Sequence, residues 1–208
     1  MSFQAWTVFT LFWAVFVVTP GPNAVNCINN GMAYGFRRSL WGVLAILTQA
    51  TLFLILSALG VTALLVTSPT LFFWAKLIGA AVLIFLGVRG WIMARRNVTA
   101  PAYAVRSIYG RALLIATINA KSVAGYLAAF TQFVQPDVPI WTQMQIIMPT
   151  ALALTGISYC CYTAIGAGLG RAALGTVMNI WFRRTMALCF IVYGLLLGST
   201  ANTPAGNI

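Results

Sequence analysis

The chain has 208 residues, of which 61% are hydrophobic and 6% charged, whereas soluble domains carry about 25% charged residues. Twelve Lys and Arg stand against one acid, Asp137, for a formal net charge of +11, and the mean hydropathy is +0.93. This composition excludes a water-soluble globular domain. Runs of about 20 apolar residues, the length that crosses a bilayer, nearly exhaust the chain and leave no room for an extramembrane domain. The basic excess does not indicate nucleic acid, because no contiguous basic run or stripe occurs. The Lys and Arg lie mostly between apolar runs, where such residues orient helices and meet anionic lipid headgroups.

Six apolar segments follow in order: Ala5–Ile28, Leu40–Val66, Leu71–Trp91, Ala112–Val134, Gln143–Leu169 and Phe182–Ser199. The sequence therefore predicts an all-α integral membrane protein of six transmembrane helices. It reads as a single transporter domain over 1–208, with halves 1–96 and 107–208. The first segment lacks the basic n-region and small-residue cleavage site of a signal peptide, and reads as a retained helix. Thr67-Ser68-Pro69-Thr70 and Gln135-Pro136-Asp137-Val138-Pro139 are turns. The longest connection, Ala94 to Gly110, holds Arg95, Arg96, Pro101 and Arg106 and reads as a surface loop.

Arginines fall in alternate loops: Arg37 and Arg38 in the first, Arg95, Arg96 and Arg106 in the third, Arg171, Arg183 and Arg184 in the fifth. Loops two and four have no Lys or Arg. Positive residues mark the cytoplasmic side, so odd loops are expected inside and both termini outside. Lys76 precedes Gly87 by the same eleven residues that separate Arg183 from Gly194. Three helices per half would insert a duplicated half upside down, the inverted three-plus-three plan of many secondary transporters.

Two polar features sit inside apolar segments. Thr19-Pro20-Gly21-Pro22-Asn23 cannot continue a regular helix, because the prolines lack donors and their rings clash. Pro22 suits the first position of a new helical segment, whose N-terminus would present free N–H groups and a positive dipole end. Asn23, Asn26 and Asn30 share one face of that segment. A substrate site and a proline kink with asparagines bonding between helices both fit. In the second half, Asn119-Ala120-Lys121 lies about a third of the way into the fourth segment. An intramembrane lysine marks function unless it snorkels to the interface. No intramembrane acid exists to pair with it, so a substrate carboxylate is the matching charge. Gln49, midway through the second segment, needs a partner in hydrocarbon and is expected to face a cavity rather than lipid.

Cys27, Cys160, Cys161 and Cys189 lie within apolar segments and read as small hydrophobes, not as a disulfide framework. With no His and no intramembrane Asp or Glu, the usual acid–base and metal chemistries lack their groups, so the chain is not expected to be an enzyme or to hold a cofactor. Gly31, Gly35 and Gly42 read as structural, for close helix approach and tight turns.

The run Pro20-Gly21-Pro22-Asn23, then Gly31-Met-Ala-Tyr-Gly35-Phe-Arg37 and Gly42, resembles the signature of the LysE/RhtB amino-acid exporters. Leu77 to Gly87 is similar to that family's third helix. Asn119-Ala120-Lys121, followed by Phe130-Thr-Gln132-Phe133-Val134, is similar to its fourth, where Asn-Pro-Lys is usual. The resemblance implies six helices in inverted repeats, and export of amino acids or derivatives from a multi-pass site in the bacterial inner membrane, with proton antiport as the expected coupling. Ala120 departs from the usual proline, which implies a softer second break. Gln49 stands where many members carry an ionisable residue, which implies either that standard proton coupling is lost or that it moves to Lys121 or to the substrate.

From these residues and the resemblance, the substrate site is expected at Pro20, Gly21, Pro22, Asn23, Gln49, Asn119 and Lys121. The cargo is expected to be a neutral amino acid, since no acid lines the interior for a cation. Membrane lipid and a homodimer partner complete the expected contacts. An uncoupled channel or facilitator, or a membrane-complex subunit without transport activity, is the competing reading.

Overall fold

The computed structural model describes residues 2–67, 69–96, 107–135, 137–170 and 179–201, with no strand among them. Ser68, Pro101, Arg106, Pro136 and Arg171, assigned above to turns and loops, lie outside the described residues. Among the described residues seven α-helices follow in chain order: α1 Phe3–Val18, α2 Pro22–Thr67, α3 Pro69–Ile92, α4 Ile108–Ile118, α5 Ala120–Phe133, α6 Ile140–Leu169 and α7 Ile180–Ala201. A 3-10 turn, Met93–Arg95, continues α3. Among the described residues three stretches are long and apolar enough to cross a membrane, Pro22–Gly60, Phe73–Arg95 and Ile140–Leu169, while α1 and α4 are apolar and shorter.

The first and fourth apolar segments are each split in two. Residues 19–21 separate α1 from α2, with Thr19 extended at φ −64°, ψ 121°. Asn119, at φ −65°, ψ 105°, ends α4 and starts α5 in a single extended residue. The second break forms without a proline. An asparagine cap replaces it: Asn119 Oδ1 accepts from the Lys121 N–H at 3.1 Å, satisfying a donor that a helix start leaves free.

The first loop differs from the expectation. The helix runs on past Ile28, and its one non-helical residue is Gly35, at φ 72°, ψ 170°. That left-handed φ is open to glycine at little cost. Here α2 folds back on itself: Asn30 Nδ2 lies 3.1 Å from where a Cβ on Gly42 would be, whereas a straight helix would separate the two by about 18 Å. The arms of α2, residues 22–34 and 36–67, are thus antiparallel neighbours, and Arg37 and Arg38 begin the second arm.

Glycines set how closely the helices approach. A Cβ on Gly31 would overlap the Thr163 carbonyl of α6, and one on Gly166 would overlap the Ile28 carbonyl of α2. A reciprocal contact joins α3 to α7. A Cβ on Gly87 would sit 2.7 Å from the Ala187 carbonyl oxygen and 2.9 Å from Ile191 N, and one on Gly194 would sit 2.9 Å from the Ala80 oxygen and 3.0 Å from Ile84 N. Lipid offers no hydrophobic drive for helices to associate, so such small-residue contacts carry the packing.

The outer surface matches a bilayer. Trp41, Trp74, Trp91, Trp141 and Trp181 are all exposed and lie near helix ends, as interfacial tryptophans do. Arg184 stacks over Trp91 at 5.0 Å. Two polar side chains fasten connections. Gln143 accepts from Gln135 N and donates to the Gln135 and Val138 carbonyls, at 2.8–2.9 Å. Arg183 donates to the Met93, Ala94 and Arg96 carbonyls, tying α7 to the end of α3.

The end of α1 is held from α6. The Val18 carbonyl would take its helical bond from residue 22, a proline with no N–H. The Tyr162 hydroxyl donates to it instead at 2.5 Å, and the Ser158 hydroxyl donates to the Val17 carbonyl at 3.2 Å.

Gly87→Ala should lower stability in detergent by about 1–3 kcal/mol, the usual cost of overpacking. Gly60→Ala, where nothing lies within 4 Å, should be neutral or stabilising by up to about 1 kcal/mol; thermal unfolding of the two variants side by side checks this. Tyr162→Phe keeps the ring but strands the Val18 carbonyl, at a cost of about 1–3 kcal/mol. Ser158→Ala, with the longer bond, should lose less in the same assay.

Candidate functional site

The two helix breaks meet at a cavity of ≈ 350 Å³, within the roughly 300–1,000 Å³ of small-molecule sites. Pro20, Gly21 and Pro22 line it from the first break, and Asn119 and Lys121 from the second. Leu86, Ile115 and Phe190 give it apolar wall, and Arg89 and Arg183 lie at its rim with Met93. Five of the seven residues expected to form the site are therefore brought together.

Lys121 is the centre of this arrangement. It is partly buried, and its methylenes pass Gly21. Its Nζ donates to the Phe16 carbonyl at 2.7 Å and the Thr19 carbonyl at 2.6 Å, and lies 5.0 Å from the centre of the Phe16 ring. Phe16 would bond to the N–H of residue 20, which is a proline. Lys121 therefore supplies a donor that the chain itself deleted. Among the described residues it pairs with no acid: Asp137, the single acid of the chain, is exposed in the α5–α6 connection. On the other side of the break, the backbone bonds of α2 begin at Val25, which donates to the Gly21 carbonyl at 3.1 Å. The N–H groups before it are the unpaired donors of a helix start.

Asn23 and Gln49 take a different place. Both are buried, at 3% and 2% exposure, and neither lines the cavity. Two turns on from Asn23, Asn30 accepts from Arg111 of α4 at 2.5 Å and packs on Gly42. Two turns back from Asn30 and two on from Gly42, the antiparallel register of the α2 arms sets Asn23 opposite Gln49. Asn23 Oδ1, Asn26 Nδ2, Asn30 Nδ2 and Gln49 Nε2 are buried with no hydrogen-bond partner among the described residues. These amides form a polar layer behind the first break rather than its wall.

Other residues at the site escaped the sequence reading. Ser158 and Tyr162 fix the Val17 and Val18 carbonyls; comparing the carbonyls left open by Pro20 and Pro22 with the hydroxyls of other segments would have signalled them. Phe16 contributes a carbonyl and a ring face, and looked like ordinary apolar sequence. The cysteines are all free thiols, and Cys27 is buried in the packed layer between α2 and α6. Among the described residues no group of three or more His, Cys, Asp or Glu side chains could hold a metal ion.

The chain is similar along most of its length to curated membrane proteins. It is 34% identical over 197 residues to an uncharacterized membrane protein of Pseudomonas aeruginosa, covering 86% of each chain. It is 24% identical over 202 residues to the homoserine/homoserine lactone efflux protein of Salmonella typhimurium, covering 96% of this chain and 98% of that one. It is 25% identical over 171 residues to the leucine efflux protein of the same organism, covering 80% and 81%. No solved structure matches it significantly. The model of the LysE type translocator family matches residues 14–200, and the chain belongs to that family.

Proposed function

We propose that the protein exports a neutral amino acid across the bacterial inner membrane by alternating access, binding it in the cavity between the two helix breaks. The observation that carries this reading is Lys121, a cation on the cavity wall that is bonded only to backbone carbonyls, in a chain whose single acid lies elsewhere. A substrate carboxylate is the charge the site lacks. It would sit between Lys121 and the N-terminus of α2 after Pro22, where the free N–H groups and dipole favour an anion. Leu86, Ile115 and Phe190 suit an aliphatic side chain. The efflux relatives named for leucine and homoserine support a neutral amino acid as cargo.

The six-span plan follows the same reading. The spans are α1 with the first arm of α2, the second arm of α2, α3, α4 with α5, α6, and α7. The reciprocal Gly87 and Gly194 contacts, and a break in the first and fourth spans alike, support an inverted three-plus-three repeat in one transporter domain. Arginines at alternate ends support an inside location for the odd loops, so that the cavity, with Arg89 and Arg183 at its rim, opens to the cytoplasm. Asn23 and Gln49 take part when the halves rock: their open amide atoms then meet the substrate in the outward-facing cavity.

In proteoliposomes, Lys121→Ala should reduce amino-acid export at least about tenfold, the loss of roughly 1.4 kcal/mol or more of binding, while Ser199→Ala, exposed near the end of α7, should match the wild type. Export by Lys121→Ala at the wild-type rate would remove Lys121 from the site. Flux that follows an imposed pH gradient identifies proton antiport; flux indifferent to it identifies a facilitator.

A further inference from the structure

We propose that the Phe16 and Thr19 carbonyls are the receptor for the substrate's ammonium group, and that Lys121 occupies it as a tethered stand-in when the site is empty. This rests on the reading of the cavity as an amino-acid site and adds the half of the ligand that reading leaves without a partner.

Four carbonyls end α1, and they are held in two ways. Val17 and Val18 are bonded by Ser158 and Tyr162, buried and uncharged hydroxyls of α6 that a carboxylate has no charge to draw away. Phe16 and Thr19 are bonded by the end of a long, flexible side chain on the wall of a cavity. Only this second pair is held by a charged donor, which a carboxylate can draw away. The two oxygens converge on one nitrogen at 2.7 and 2.6 Å, and the Phe16 ring faces the same nitrogen at 5.0 Å. Two carbonyls and an aromatic face make an uncharged pocket for a primary ammonium. Pro20 keeps it open, because it removes the N–H that would otherwise close the Phe16 carbonyl into the helix.

An exchange at this site conserves its bonds only for a zwitterion. As the carboxylate draws Lys121 away, the two carbonyls lose their donor, and the substrate's ammonium replaces it. A carboxylic acid without an amine would strip the carbonyls and leave them unpaired in a dry site. An amine without a carboxylate would bring a second cation against Lys121. The site thus selects α-amino acids over either half-ligand, although no acidic side chain stands near it to attract an amine.

The test uses the full-length protein in detergent and methylammonium as probe. Lys121→Met vacates the receptor, so its melting temperature should fall below that of the wild type and recover saturably with methylammonium but not with tetramethylammonium, which has no N–H to donate. The wild type, whose receptor is filled, should show no such response. Equal effects of the two cations on Lys121→Met, or no effect of either, would overturn the proposal. Should Lys121→Met fail to fold, Lys121→Gln, whose shorter amide cannot bridge both oxygens, takes its place with the same expected outcomes. A second arm screens the wild type against the common amino acids. The tightest binder should exceed its α-hydroxy acid and its decarboxylated amine at least about tenfold, one hydrogen-bonded charge in affinity. Equal binding of the hydroxy acid removes the ammonium receptor and leaves the carboxylate site standing. If no amino acid binds or is exported, the transport reading itself fails, while the methylammonium result still decides the receptor.

Discussion

The arrangement of this bundle turns on the end of α1, where the chain deletes backbone donors inside the membrane. Pro20 and Pro22 remove the N–H groups that the Phe16 and Val18 carbonyls would have used, and the turn between them strands Val17 and Thr19 as well. In hydrocarbon no water replaces a lost donor, and each open carbonyl is costly. The donors have to come from other helices. Ser158 and Tyr162 bring α6 to one side of the break, and Lys121 brings α5 to the other. A local fault in one helix thus becomes a constraint on three.

The same fault explains why a cavity forms where it does. Packing between these helices depends on glycines that let backbones touch, such as Gly31 with Gly166 and Gly87 with Gly194. At the two breaks the chain is extended, no continuous helix surface exists to pack, and side chains cannot close the space. What remains is lined by exposed backbone and by the side chains that attend to it. Arg183 lies at the rim but is committed to the Met93, Ala94 and Arg96 carbonyls. Lys121 is the basic side chain that holds the break itself, and its bonds are the ones the proposed ligand would replace.

Much of this was legible in the sequence, and the limits are physical. Pro-Gly-Pro announces a break because proline's lost donor is a local property. Lys121 was conspicuous because an intramembrane charge without an acid is conspicuous in any fold. Its actual partners were not legible: an open carbonyl has no side-chain signature, and which helix reaches it depends on tertiary packing. For the same reason Ser158 and Tyr162 went unremarked among the hydroxyls of an apolar segment. Asn119 could stop a helix without proline because a capping side chain does the work of a missing donor in reverse, by satisfying the free N–H of the next segment. Asn23 and Gln49 were correctly marked as polar residues inside apolar runs. Their position behind the cavity wall follows from the fold-back at Gly35. A reversal between the first two segments was expected from the Arg37–Arg38 loop; that it needs only one residue, Gly35, was not, because helix runs up to it on both sides and the break needs only one φ.

The shortage of acids acts on chemistry as well as on solubility. A transporter of cations can place a carboxylate in its path, and one of anions can rely on cations alone; a zwitterion needs complements to both charges that do not cancel each other when the site is empty. Placing an acid beside Lys121 would create a buried ion pair, and the substrate would have to break it with both partners strongly held. Backbone carbonyls avoid this. They bear partial charge, hold an ammonium at hydrogen-bond distance, and release it to a carboxylate without leaving a full negative charge behind. A helix broken by proline is a means of displaying such carbonyls inside a membrane. Under the proposed exchange, the proline that costs α1 its regularity is therefore also the residue that lets an acid-free site recognise an amine.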